Sequence, residues 1–377
     1  MSKGPSRVAR GPLNEEVTIL IPTHNEEVTI LSKLETLLNQ SYPKNLMKVL
    51  IVDSESTDRT QELVTAFQKD HPELKVRMIT ERTRSGKPVA VAKAVEQCET
   101  DLVIITDADI GLYKESVRLI LENFSDPQIG AVTGRQTIPN LEYSRNTRIE
   151  STYRSVFDII RIGESNLDST PVFAGEFMAF RRTAVKKLNP DSVADDTALA
   201  LEIRANGKRT VVDPASFFIE PSPSSSRARL EQKKRRGMGI IQALINHYNM
   251  LFRPAYGLFG SVILPAEIFL HVFSPLLFFA SIAFVSYFVI AAVAFHSIVE
   301  AFVFAGLIVA FLLLISFRGG RHVRGVLLFA ASFVTAQVYL LYGLILLILQ
   351  RVSATARSKM LKWERIMETR AGSNMRL

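Results

Sequence analysis

Asp101-Leu-Val-Ile-Ile-Thr-Asp-Ala-Asp-Ile110 decides how this chain folds. Leu102 to Ile105 is an unbroken apolar run, rich in β-branched residues, the composition of a strand buried on both faces. Two carboxylates, Asp107 and Asp109, follow it with one alanine between them. Strand alternation fails there, which puts both acids in the turn at the strand's carboxyl end, where open α/β sheets bind ligands. Two hard oxygen donors at this spacing suit Mg²⁺ or Mn²⁺ shared with substrate phosphates. Standing alone, the pair would read as a polar turn with an N-cap aspartate.

Upstream, the chain alternates strand and helix. Val17–Ile21, Val49–Val52 and Val76–Ile79 are short apolar strands, the first stopped by Pro22 and the second by Asp53. Thr23-His-Asn-Glu-Glu27 is expected to open a helix with a stripe at Ile30, Leu34, Leu37 and Leu38. Ser54 to Asp58 caps a second helix, and the basic loop Arg82 to Lys87 leads into a third, Val89 to Cys98. Such alternation predicts a mostly parallel sheet with helices on both faces, and gathers Thr23, Asp53 and Asp107 at one edge.

Downstream, the pattern predicts a helix over Lys114–Phe124, a strand over Ile129–Thr133 and a long polar helix over Glu142–Arg161. Phe173 to Phe180 returns to the sheet. A helix follows from Asp195 to Ile203, ended by Asn206-Gly207, then short strands at Thr210–Val212 and Phe217–Glu220. A Pro/Ser linker at 221–226 precedes a basic amphipathic helix, Arg227 to His247, suited to a membrane interface.

The chain has 377 residues, a formal charge of +8 and one cysteine, Cys98, which excludes an intrachain disulfide. The expected domains are a basic arm (1–14), an α/β domain (15–225), the interfacial helix region (226–256), a transmembrane region of three to four helices (257–350) and a basic tail (351–377). Ile282–Phe295, Val303–Phe317 and Val326–Leu349 are the apolar cores. Leu258–Phe273 carries Pro265, Glu267 and His271, and is expected to be interfacial, with both polar groups in the headgroup zone, or a shortened fourth span. The loop Arg318–Arg324 and the tail are both basic with one span between them, so charge leaves the orientation open.

Pro22-Thr-His-Asn-Glu26, Val52-Asp53 with Ser56-Thr-Asp58, Gly86-Lys87, Asp107-Ala-Asp109, Asp195-Asp196 and Gln232-Lys-Lys-Arg235 follow one another in that order. Each alone is a weak pattern; the ordered set resembles the membrane-bound inverting family-2 glycosyltransferases, the branch of cellulose, hyaluronan and chitin synthases. The resemblance implies a GT-A nucleotide-sugar-binding domain, with Pro22, Thr23, Glu26, Asp53, Lys87 and Asp107 on the donor and Asp107 and Asp109 on the metal. It makes Asp196 the base, while Asp195 is left as a helix N-terminal acid favoured by the dipole. Gln232, Arg235 and Arg236 are expected at the diphosphate and acceptor, and Gly175 and Glu176 at the acceptor. Lys233 and Lys234 read as a solvated or lipid-facing patch.

This chain departs from the family's pattern at Asp53-Ser-Glu-Ser56, at Lys93, and at Arg236, where the Q-x-x-R motif ordinarily continues with tryptophan. An indole offers a neutral sugar a stacking face; a guanidinium offers phosphate a fork of donors. The expected activity is therefore transfer from a nucleotide-diphospho-sugar, a UDP-sugar favoured, to a polyprenyl-phosphate or glycolipid. The alternatives are a processive polysaccharide synthase and an inactive lipid-sugar binding or transport subunit. The expected partners are the donor, the acceptor lipid and the bilayer of the cell membrane, in a multi-pass arrangement with the catalytic domain cytosolic. No nucleic-acid partner is expected.

Overall fold

Burial along the parallel strands follows their composition. The computed structural model describes residues 8–84, 86–137, 145–186, 192–220, 226–294, 302, 303, 306 and 320–352. In it, β1 (Val17–Thr23), β2 (Met47–Ser54), β3 (Lys75–Glu81) and β4 (Leu102–Thr106) pair in parallel in the order β3-β2-β1-β4. Every residue of central β4 is buried. Edge strand β3 instead exposes Lys75 and Arg77, charges that blunt an open edge. Alternate residues serve opposite layers: Ile19 and Ile21 pack with Leu34 and Leu37, whereas Leu20 packs with Ala90, Val91 and Ala94.

The helices of this half are α1 (Ile30–Leu38), α2 (Thr60–Asp70) and α3 (Lys87–Glu96). Helix α1 starts later than expected, because the backbone of Pro22–Glu27 is taken by the 54–60 loop. Asn25 N donates to Ser56 Oγ (2.8 Å), Glu26 N to Thr60 Oγ1 (2.7 Å) and Glu27 N to Asp58 Oδ2 (3.0 Å). Asn25 takes a φ of +56°, which no helix tolerates. Asp58 also caps α2, accepting Thr60 N at 3.0 Å.

The second half is mixed in direction. Outside β4 come β5 (Gly111–Leu112), α4 (Ser116–Glu122), β6 (Ile129–Thr137), α5 (Arg145–Leu167), β7 (Phe177–Arg181), α6 (Asp195–Ala205) and β8 (Arg209–Ile219). Strand β7 runs antiparallel to β4 and β6, and β8 parallel to β6. The result is an eight-stranded mixed sheet, β3-β2-β1-β4-β7-β6-β8-β5. The two short strands expected near 210–220 are one. Its register with β6 shifts between Thr133 and Arg135, and its Pro214, which has no N–H to pair, is exposed. Phe173 to Glu176 stays outside the sheet, which β7 joins only at Phe177.

The C-terminal part is helical: α7 (Ser226–Asn246), α8 (Leu264–Ile268), α9 (Ser274–Ala294) and α10 (Gly320–Val352). Two π-helical turns, Phe259–Ile263 and Phe269–Phe273, flank α8 and join it to α9. Among the described residues, two helical stretches could cross a membrane by length and composition: Phe259–Ala291, of 33 residues, and Phe329–Leu349, of 21. The expected core at Val303–Phe317 lies almost wholly outside the described residues, as do the tail from 353 and the arm's first seven residues.

Two expectations are corrected here. Leu258–Phe273 is not separate from the core expected at Ile282–Phe295: it starts the helical run that continues through α9. Its Glu267 and His271 are each 1% exposed, with His271 Nδ1 2.9 Å from Glu267 Oε2 and the imidazole edge-on to Phe157 of α5. Nor do Lys233 and Lys234 form a loose patch: their ammonium groups sit 5.6 Å and 4.2 Å over the rings of Tyr339 and Tyr342 of α10. Helices α7 and α10 approach closely at Gly343, where a Cβ would lie 2.8 Å from Met238 N.

Candidate active site

The carboxyl ends of β1, β2 and β4 meet at one edge. Beyond Thr106 the chain turns through Asp107-Ala-Asp109, and Lys33 of α1 holds this turn from beneath. Its Nζ donates to Thr106 Oγ1 (2.6 Å) and Ile110 O (3.3 Å), one contact on each side of the two acids. Lys33 is fully buried, and burial pulls its ammonium down to about 7 against the opposing charges of Asp107 and Asp109. On the open side of the turn, Lys87 Nζ donates to Asp107 Oδ1 at 2.6 Å. Gly86, at φ +93°, positions that lysine at the start of α3.

Two adjoining clefts share Lys87 and Asp107. The first is lined by Pro22, Thr23, His24, Glu26 and Asp109, among others. His24 Nδ1 donates to Ser54 O at 2.6 Å, and the buried Glu26 carboxylate accepts Thr29 Oγ1 at 2.7 Å. Asp53 is not brought to either cleft. It is wholly buried, with Oδ1 taking Ser56 Oγ and Thr23 Oγ1, and Oδ2 taking Gln61 Nε2 and Ser56 N. Asp53 organises the loop that shapes the cleft wall.

The second cleft brings together Lys87, Asp107, Gly175, Glu176, Asp195, Asp196, Gln232, Arg235 and Arg236. Asp196 opens α6 and accepts Thr197 N at 2.7 Å. Burial first, and then the neighbouring charge of Asp195, pushes its carboxyl up to about 6, with Arg236 opposing. A carboxylate titrating there suits a general base near neutral pH. Arg236 donates to Glu176 Oε1 (3.4 Å) and to Phe173 O (3.3 Å). Burial works against the Glu176 charge, but Arg236 and Arg154 hold its carboxyl below the ordinary range.

Sequence reasoning placed Glu176 at the acceptor but left out Asp195 and Glu220. Asp195 is more than a dipole acid: it lines the cleft, and its buried Oδ2 has no donor among the described residues. Glu176 Oε2 is in the same state. Glu220, just past β8, is pushed up to about 8 by burial and then by Glu176. It lines neither cleft; the end of β8 brings it to 4.0 Å from Arg154, and no local pattern marks it.

The residues present fit a hard divalent cation. Asp107 and Asp109 offer carboxylates on one short turn, and Asp107 Oδ1 is already engaged by a lysine. Among the described residues no group of three or more acidic, His or Cys side chains could hold a metal. Mg²⁺ or Mn²⁺ there would complete its shell from donor phosphates and water.

A mixed sheet whose parallel half carries D-x-D at a strand end, with a helical region after it, defines a GT-A-type α/β fold. The family model for Glycosyl transferase family 2 matches residues 18–188. The structure is similar to that of the mannosyltransferase PcManGT from Pyrobaculum calidifontis in complex with GDP-Man and Mn²⁺. The TM-score is 0.73 and the identity 26%, covering 93% of this chain and 92% of that one. In sequence, the probable glycosyltransferase YdaM of Bacillus subtilis (strain 168) is 26% identical over 245 residues, 63% of this chain and 58% of its own length. The poly-beta-1,6-N-acetyl-D-glucosamine synthase of Staphylococcus aureus (strain COL) is 25% identical over 238 residues, 62% of this chain and 57% of its own length. The chain thus matches under three fifths of the length of these two curated relatives.

Proposed function

We propose that this protein is an inverting glycosyltransferase that moves a sugar from a nucleotide-diphospho-sugar to a membrane-associated acceptor. The observation that carries this reading is the second cleft, where the raised carboxyl of Asp196 shares one cavity with Lys87, Asp107 and Arg235. In the reaction an acceptor oxygen bonds to the anomeric carbon as the bond from that carbon to the diphosphate oxygen breaks. The acceptor's proton passes to Asp196, and the electron pair stays on the diphosphate, beside Lys87 and Arg235. Asp107 and Asp109 would hold Mg²⁺ or Mn²⁺, which when bound neutralises charge on the leaving diphosphate. Asp195 Oδ2 and Glu176 Oε2 are acceptors suited to sugar hydroxyls.

The donor sites are cytosolic in this reading, and the helices from Phe259 onward anchor the domain in a multi-pass membrane part. The sequence favours a UDP-sugar, whereas the relative matching nearly the whole chain holds GDP-Man, so both bases belong in the test. That test is a panel of UDP- and GDP-sugars with Mn²⁺, read by thermal shift and by slow hydrolysis to water. One donor should raise Tm and be hydrolysed. Binding without turnover would leave an inactive sugar-binding subunit, and no binding at all would refute the reading.

A processive synthase is the second reading, favoured by the poly-N-acetylglucosamine synthase relative. Arg236 in place of the sugar-stacking tryptophan argues for one or a few additions to a phosphate-bearing lipid. Product length decides between the two.

A further inference from the structure

Arg236 and Gln232 are a shared wall. On their far side from Asp196 lies another cavity, of about 80 Å³, between α5, α7, the π-helical turn Phe269–Phe273 and α10. Arg154, Arg161, Lys233, Arg236 and His271 supply its polar lining, and no carboxylate lines it. The acids stand behind the guanidinium groups instead: Asp158 bonds Arg161, Glu176 bonds Arg236, and Glu220 lies 4.0 Å from Arg154. Arg161 is only 7% exposed, and its Nε finds no acceptor among the described residues. A cavity lined by four cationic side chains and no carboxylate is where an oxyanion belongs. The opposite wall is apolar, built from Val172 and Ile240 with Ala336 and Leu340 of the candidate spanning helix α10.

We propose that this cavity takes the phosphate of the acceptor, and that the acceptor is a lipid-linked phospho-sugar. The inference rests on the transferase reading and narrows its acceptor. A prenyl phosphate that attacks the anomeric carbon through its own oxygen needs no base, because a phosphate monoester is already largely ionised near neutral pH. A sugar hydroxyl does need one, and Asp196 provides it. A base on one side of Arg236 and an anion pocket on the other fit one molecule: a hydroxyl at Asp196, its sugar beside Arg236, its phosphate at Arg161, and its lipid along α10. Arg161 and Arg154 of α5 would then set acceptor specificity, although no motif includes them.

The experiment uses the full chain in phosphatidylcholine nanodiscs, with farnesyl diphosphate as a binding probe and no donor present. Wild type should bind it at least tenfold more tightly than inorganic diphosphate. Arg161→Gln should lose about tenfold or more, and Ala336→Phe, which fills the cavity from α10 without touching a charge, should do the same. Neither change should alter the thermal shift given by the nucleotide-sugar donor. In transfer assays, farnesyl-diphospho-N-acetylglucosamine should accept sugar and farnesyl phosphate should not. Unchanged farnesyl diphosphate binding in Ala336→Phe, or in a folded Arg161→Gln, would overturn the pocket. Equal binding of inorganic diphosphate would make it a free-anion site. Efficient transfer to bare farnesyl phosphate that survives Asp196→Asn would overturn the acceptor class. Probe binding that meets these expectations in a protein that transfers from no donor would instead sink the transferase reading and leave the pocket standing.

Discussion

Gly175 stands against Asp196 so closely that a Cβ at 175 would lie 3.0 Å from both Cβ and Oδ2 of the aspartate. The bare backbone lets the carboxylate occupy the cleft between Lys87 and Arg236. Gly175→Ala should push it aside and lower turnover about a hundredfold. Donor affinity, measured by titration with the nucleotide diphosphate, should stay within a factor of a few. Wild-type turnover in this variant would separate Asp196 from the chemistry.

Asp196→Asn keeps the size and removes the proposed base, so transfer should fall by roughly two to four orders of magnitude. The pH dependence has a definite direction. Transfer by wild type should decline as pH falls through about 6, where Asp196 protonates, and Asp195→Asn should move that limb to lower pH by removing a like charge. Stability runs the opposite way. A carboxyl raised above its unfolded value costs stability progressively from about pH 4 to above 6, so Asp196→Asn should gain on the order of 2 kcal/mol at pH 7. Rate profiles and thermal melts across pH 4.5–8 measure both (roughly the window set by those values).

Asp107→Ala and Asp109→Ala should each reduce Mn²⁺-supported nucleotide diphosphate affinity by at least about tenfold, since each removes one of two hard oxygen ligands. The dependence on Mn²⁺ is the informative quantity. If both variants retain it unchanged, the cation is held elsewhere.

Lys33→Met tests the support of that turn. It leaves Thr106 Oγ1 and Ile110 O without the lysine donor, at about 1–3 kcal/mol. Thermal stability and Mn²⁺-dependent donor affinity should fall together. A lowered Tm with intact donor binding would limit Lys33 to the core.

What the sequence disclosed is what period and punctuation encode locally. The buried run Leu102–Ile105 and the two acids after β4 are where the pattern put them, whereas β1 continues through Pro22 to Thr23 and β2 through Asp53 to Ser54, past the stops the pattern set. Asp53 lines neither cleft because Thr23, Ser56 and Gln61 turn its carboxylate inward through four hydrogen bonds, and of these three only Ser56 belongs to the motif that carries Asp53. Arg161 and Glu220 stayed invisible because helix packing brings Arg161 to its cavity and strand order sets Glu220 beside Arg154. The pairing of Glu267 with His271 was misread because an apolar helix carrying two polar groups looks interfacial until a partner helix covers them.

The reversal of direction between β4 and β7 governs how such a protein can diversify. Strand β7 enters opposite Thr106, and Asp107 N donates to Glu176 O at 3.1 Å, so the D-x-D turn and the Gly175-Glu176 turn are joined backbone to backbone. Their spacing survives almost any exchange of side chains on either half. Everything from α5 to α7 can therefore behave as an interchangeable cassette, with new acceptors acquired by recombination or loop drift while the nucleotide half stays as it is.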